Sequence, residues 1–168
     1  MGISHNKLQV KIHLNNIVQN YQTLNQKGGC AYPVIKADAY GHGLLETAEA
    51  LAKAGARTLA VGTVNEAVSL RESPYGGRIL CLLGPVDEKD YEPIAEHDIL
   101  ALAYRSDQLE LLCAQAKKRG KPVSVALKFD TGMARLGFGP EDVPDLVEKL
   151  NAYPELELCM VCSHLATA

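Results

Sequence analysis

Residues 33–43 read PVIKADAYGHG. Pro33, Val34 and Ile35 make a short β-prone apolar run that ends on Lys36. Small residues, Asp38, Tyr40 and a Gly41-His42-Gly43 turn follow. A buried strand that ends on an amine and opens into so permissive a loop resembles the C-terminal end of a strand in a parallel α/β fold. In such folds that end carries the chemistry.

The same unit recurs outward from this stretch. Apolar, β-rich runs are predicted at 33–40, 58–64, 78–84, 99–105, 123–130 and 156–166. Amphipathic helices are predicted between them: 44–56, 65–72 with Asn65 as its cap, a weaker one through 91–98, 106–120 from Ser106 to Gly120, and 141–153 with Pro144 in its first turn. Strands this apolar belong to a parallel sheet covered on both faces. Two architectures fit, a doubly wound open sheet and a (β/α)8 barrel. No GxGxxG phosphate fingerprint follows the first strand, which favours the barrel. A closed barrel has eight strands. Six are legible here, so the expectation is an α/β TIM-type barrel truncated to about six βα units, a piece of a longer protein. Ahead of it, Val10-Lys11-Ile12-His13-Leu14 alternates apolar and polar residues like a half-exposed strand, and 15–24 follows as an amphipathic helix.

Composition narrows the function. The 168 residues are 47% hydrophobic and 22% charged, with a formal net charge of -3. That balance does not suggest a nucleic-acid or anionic-membrane partner, and the lack of Trp with only two Phe argues against base stacking. No run is long enough to span a membrane. The start, MGISHNKLQVK, lacks a signal-peptide core, and Asn6 stands where a myristoylation signal needs Ser or Thr. A soluble cytoplasmic protein is expected. Cys159 and Cys162 form a CxxC inside a predicted strand, where residues three apart point to opposite faces. They read as buried structural thiols. No His/Cys/carboxylate set has metal-ligand spacing, so no metal is expected.

The strand ends offer Lys36 with Asp38 and Tyr40, Asn65 with Glu66, Arg105, Lys128 with Asp130 and Arg135, and His164. Lys36 reads either as a solvated lysine or as a Schiff-base lysine, whose amine must be partly desolvated to attack an aldehyde. Arg135 reads either as the clamp of a carboxylate or phenolate, suited by its planar fork, or as a surface partner of Asp130. His164 alone reads more simply as a packed or hydrogen-bonded residue. His42, in its glycine turn, reads as a residue that orients the loop.

Together, VIKADAYGHG (34–43), KFDTGMARLGF (128–138) and CSHLATA (162–168) resemble the signatures of alanine racemase, a family of pyridoxal-phosphate enzymes with an N-terminal barrel of the fold-type III class and a C-terminal β domain. The resemblance runs from about Val10 to the last residue. It implies that Lys36 holds pyridoxal 5'-phosphate as a Schiff base and serves as one of two proton-transfer bases. It implies that Tyr40 donates to the cofactor phosphate and that Arg135 lies near the phenolic oxygen and the substrate carboxylate. His164 would pack near the pyridine ring, and Lys128 matches a lysine that is carbamylated in some members. Residues 1–30 would be an N-terminal strand and helix, the strand joining the C-terminal β domain, and 31–168 the incomplete barrel. The implied reaction is interconversion of L- and D-alanine in a homodimer, feeding peptidoglycan precursors in a bacterial cytoplasm. The opposing tyrosine and the last two barrel strands lie beyond this chain, so the 168 residues alone are expected to be inactive. Three alternatives remain: another racemase or decarboxylase of the class, acting on serine, lysine, ornithine or a broader range; a noncatalytic pyridoxal-phosphate-binding barrel; and a folding module with no ligand.

Overall fold

The computed structural model describes residues 9–167. The reading of the first residues as lacking a leader core and a myristoylation signal falls outside that range. Helix α1 (Leu14–Gly28) is followed by a short segment α2 (Lys36–Gly41) and helix α3 (Leu44–Lys53). Strands and helices then alternate: β1 (Thr58–Val61), α4 (Val64–Arg71), β2 (Arg78–Cys81), α5 (Tyr91–Glu96), β3 (Leu100–Ala103), α6 (Ser106–Arg119), β4 (Val123–Phe129), α7 (Val143–Ala152) and β5 (Leu156–Ser163). The sheet is wholly parallel, and its spatial order β1-β2-β3-β4-β5 is the order of the chain. That order separates the two architectures left open by the sequence. A doubly wound sheet reverses its strand order at a switch point, whereas a barrel adds each strand beside the last.

Strand parity divides the apolar residues. Leu59, Val61, Ile79, Ala101, Val125 and Leu127 face the helices and pack with Leu51, Leu70, Ile94, Leu109, Leu112 and Leu146. Ala60, Leu80, Leu100, Leu102 and Ala126 face the other way and form a smaller cluster, the interior side of the barrel wall. Both faces are buried, which is why the strands read as continuous apolar runs.

Four predicted details change. The run 33–40 is not a strand throughout: only Val34 bridges to Ala60, with Ile35 N–H on the Ala60 carbonyl and Ala60 N–H on the Pro33 carbonyl, both at 2.8 Å. From Lys36 the backbone turns away into α2. The predicted strand at 10–14 does not form, since Leu14 already opens α1 and Val10 is exposed. A strand needs a ladder partner, and among the described residues none lies beside it. Helix α4 is capped by Thr63, not Asn65: its Oγ1 accepts the Glu66 N–H at 3.3 Å while the Glu66 carboxylate accepts the Thr63 N–H at 3.0 Å. Finally, a register shift opposite Val125 and Ala126 breaks the alternation of β5. Cys159, Met160 and Cys162 therefore all pack against the interior cluster, and both thiols are free.

At the end of the sheet where strands begin, Arg71 holds three backbone carbonyls: His97 at 3.0 Å, Gly77 at 2.9 Å and Asp98 at 3.3 Å. One planar guanidinium thus joins the end of α4 to the turns that precede β2 and β3. Arg71→Ala is expected to lower stability by about 2–3 kcal/mol, because charge-assisted hydrogen bonds are lost from partly buried carbonyls. Arg71→Lys should recover only part of this, since an ammonium lacks the fork. Urea unfolding measures both. Among the described residues, no helix is long and apolar enough to cross a membrane.

Candidate active site

The C-terminal ends of the strands open onto a cavity of about 570 Å³. Lys36, Tyr40, Lys128, Arg135 and His164 all line it. Leu82 and Leu102 give it an apolar floor. A cavity of this size, mostly apolar with a few convergent polar groups, suits a small ligand.

Lys36 is half-buried at one wall. The residues after it, Ala37, Asp38, Ala39 and Tyr40, all adopt left-handed helical angles, with φ of 50–54° and ψ of 39–51°. Each non-glycine residue in that region costs about 1–2 kcal/mol. Hydrogen bonds hold the turn in place. Ala39 N–H donates to the Ile35 carbonyl at 2.9 Å and Gly43 N–H to the Asp38 carbonyl at 3.1 Å. The Asp38 carboxylate accepts Leu44 N–H at 2.7 Å and so caps α3 from outside the helix. The Glu66 carboxylate accepts Ala37 N–H at 2.6 Å. His42 Nδ1 lies 2.6 Å from the Ala39 carbonyl, so that nitrogen carries the proton and the ring braces the loop. Tyr40, at the end of the turn, is 69% exposed, and its hydroxyl is open to a ligand.

Gly62, at the end of β1, makes room for this arrangement. A Cβ there would sit 3.0 Å from Glu66 Oε2 and 3.4 Å from Lys36 Cβ. The lysine stem runs across the face where any other residue would put a side chain.

On the opposite wall, Lys128 is buried, 7% exposed, and donates from Nζ to the Leu136 carbonyl at 2.7 Å. The chain returns beside β4 so that Phe138 N–H donates to the Lys128 carbonyl at 2.8 Å and Asp130 N–H to the Phe138 carbonyl at 3.0 Å. The loop between, which carries Arg135, is tied to β5 by Thr131 Oγ1 and Ser163 Oγ at 2.6 Å. Asp130 does not pair with Arg135. Its carboxylate accepts the Gly132 and Ala134 N–H groups at 3.0 and 3.1 Å. Among the described residues, no carboxylate lies within ion-pair distance of Lys36, Lys128 or Arg135. The cavity is therefore cationic and suits an anion.

The two N–H groups hold the Asp130 carboxyl below the ordinary aspartate range. Its folded pKa is depressed, so the loop's stabilisation is complete above the unfolded value and fades as pH falls through the folded one. The Gly132 and Ala134 amide shifts, followed by NMR, should titrate together with Asp130 below the usual aspartate pKa.

The other strand-end candidates do not reach the cavity. Arg105 is taken up by Asp107 through two contacts at 2.9 and 2.7 Å, and Asn65 is exposed outside it. Gln108 escaped the sequence reading: fully buried, it accepts Tyr104 and Arg105 N–H and donates to the Pro85 carbonyl at 2.9 Å. Its place in the third position of α6, after a turn, is the signal of a helix-capping side chain.

Set against known proteins, residues 12–168 match the family described as alanine racemase, N-terminal domain. The alanine racemase of Nitratidesulfovibrio vulgaris (strain DSM 19637 / Miyazaki F) is 46% identical over 168 residues, which is 100% of this chain and 45% of that protein. That of Lawsonia intracellularis is 35% identical over 93% of this chain and 42% of its own length. Among solved structures, alanine racemase from D-cycloserine producing Streptomyces lavendulae superposes with a TM-score of 0.84 at 32% identity, over 92% of this chain and 42% of that one. Alanine racemase from Bartonella henselae with covalently bound pyridoxal phosphate does so with a TM-score of 0.81 at 31% identity, over 92% of this chain and 44% of that one. The chain thus spans less than half the length of these relatives.

Proposed function

We propose, for a chain that belongs to the alanine racemase N-terminal domain family, that its cavity is the cofactor-lysine side of a pyridoxal-phosphate active site that interconverts L- and D-alanine. The observation that carries this reading is the convergence of Lys36, Tyr40, Lys128, Arg135 and His164 on one cavity from the ends of separate strands.

The residues fit the cofactor. A half-buried lysine, an exposed phenol and a guanidinium with no carboxylate partner among the described residues line a space with an apolar floor, which matches an aldehyde, an anionic oxygen and a flat ring. When bound, pyridoxal phosphate supplies an electron sink for the charge left at a substrate's α-carbon. The protein's part is to hold and to move protons. Lys36 would hold the cofactor through its amine and would exchange a proton with the substrate's α-carbon. Tyr40 donates its hydroxyl to the phosphate. Arg135 presents its fork to the phenolic oxygen and the substrate carboxylate. His164 packs beside the ring. Lys128 has a buried amine with one carbonyl partner. Carbamylation would turn it into an anion beside Arg135 and replace repulsion by attraction.

The same reading assigns residues 31–168 to the cofactor-binding barrel and the segment before it to contacts with a C-terminal β domain. It places the enzyme as a homodimer in a bacterial cytoplasm, where D-alanine enters peptidoglycan. The test is covalent trapping: incubation with pyridoxal phosphate, borohydride reduction and peptide mapping. A single dominant adduct on Lys36 is expected. Adducts spread over the exposed lysines with no preference for Lys36 would overturn the reading.

A further inference from the structure

Most turns at the C-terminal ends of the strands are closed in one way. A side chain at or just before the start of the following helix reaches back to backbone N–H groups: Asp90, just ahead of α5, to Val86 and Asp87; Gln108, in the first turn of α6, to Tyr104 and Arg105; and Asp142, just ahead of α7, to Gly139. Glu66 does this after β1, accepting Gly62 N–H at 2.8 Å and Thr63 N–H at 3.0 Å through Oε2. Like Gln108, which also donates to the Pro85 carbonyl of the loop after β2, it crosses to another loop. Its Oε1 takes the N–H of Ala37, the residue next to Lys36, at 2.6 Å.

We propose that Glu66 is a positioning residue for Lys36, a carboxylate that locks the left-handed turn to the end of β1 and so fixes the direction of the amine. The proposal rests on the reading of Lys36 as the cofactor lysine. Three donors converge on one side chain, and only an acceptor-only group with two oxygens serves them all. Glutamine has one accepting oxygen. It can keep either the cap or the Ala37 bond, and its NH₂ must then face the donors left over. Aspartate is one methylene too short to span both loops. Ala37 opens the run of left-handed residues, so its N–H is where a strained turn would begin to relax. Gly62 adds to the constraint, since it lets the Lys36 stem and the Glu66 carboxylate share one crowded spot.

The test compares Glu66→Gln with Thr63→Ala in this chain. Thr63→Ala removes the other half of the same helix cap and touches neither Ala37 nor the cavity, so it controls for lost stability. Two readouts are followed: amide hydrogen exchange over residues 37–43, without cofactor, and the rate at which pyridoxal phosphate with borohydride labels Lys36 relative to exposed lysines. Glu66→Gln should speed exchange at Ala37 at least tenfold beyond Thr63→Ala. It should slow Lys36 labelling by about ten- to a hundredfold, as expected when a reacting group is misplaced by about an ångström. Equal behaviour of the two variants in both readouts would overturn the proposal. A wild-type chain with a protected Ala37 amide, lost in Glu66→Gln, but no Lys36 adduct would instead uphold the lock and overturn the cofactor reading.

Discussion

Lys36→Ala is expected to abolish covalent capture of pyridoxal phosphate at this cavity: trapped cofactor should fall from about one per chain to the background of surface lysines, because the proposed nucleophilic amine is gone. The cavity holds a second lysine, which makes the expectation a sharp one. Lys128 is buried and its Nζ is engaged by the Leu136 carbonyl. An amine held in that way is not free to rotate into an attacking position, so the labelled peptide should not shift to Lys128. Lys36→Arg should fail equally. It keeps the charge and most of the length, but a guanidinium cannot give up its proton to become a nucleophile. Peptide mapping after borohydride reduction reads all three chains. Label at Lys128 in Lys36→Ala would show that the cavity binds the cofactor but that Lys36 is not its specific partner.

The largest effect on stability is expected at Gly84, the turn after β2. Its φ is +58°, and a Cβ there would press into the Leu102 carbonyl of β3. That oxygen belongs to the backbone of a central strand whose register with β4 pairs Leu102 with Ala126. It cannot yield without opening the sheet. Gly84→Ala should therefore cost more than about 4 kcal/mol, in the range reserved for severe steric or core defects. Gly76→Ala is the matched control. A Cβ at Gly76 meets nothing within 4 Å and its φ is not positive, so the change should lie within about 0.5 kcal/mol of zero or stabilise slightly. Urea midpoints of the two variants against the parent decide the point. A Gly84→Ala chain as stable as Gly76→Ala would mean that β2 and β3 do not approach as described.

Much of the architecture was legible because its causes are local. The runs 58–64, 78–84, 99–105, 123–130 and 156–166 each contain a strand, since five consecutive stretches of apolar β-prone residues have no other way to bury both faces. The helix that stops at Gly120 was legible for the same reason: Gly120 takes the left-handed cap, and Lys117, Lys118 and Arg119 sit at the negative end of the dipole. The residues that line the cavity were legible as types at strand ends, where side chains of a parallel sheet converge.

What was not legible depended on contacts between distant segments. Val34 to Tyr40 reads as a strand by propensity, yet after one bridge the chain enters a left-handed turn, because Glu66, 29 residues away, takes the Ala37 N–H. The alternation of Cys159 and Cys162 fails at a register shift that no residue of β5 announces. Arg135 was left between a surface pair and a site residue. The structure removes the surface pair, since the Asp130 carboxylate is consumed by its own turn, and it places Arg135 on the cavity. The sequence by itself determined the βα repeat, the two-sided burial of the sheet and the kinds of groups at its strand ends, since these follow from hydrophobic period and backbone preference. Only the tertiary structure decided the strand order that makes the sheet a barrel wall and the single cavity on which Lys36 and Arg135 meet. Both depend on which donor finds which acceptor across the fold, and a one-dimensional pattern does not carry that information.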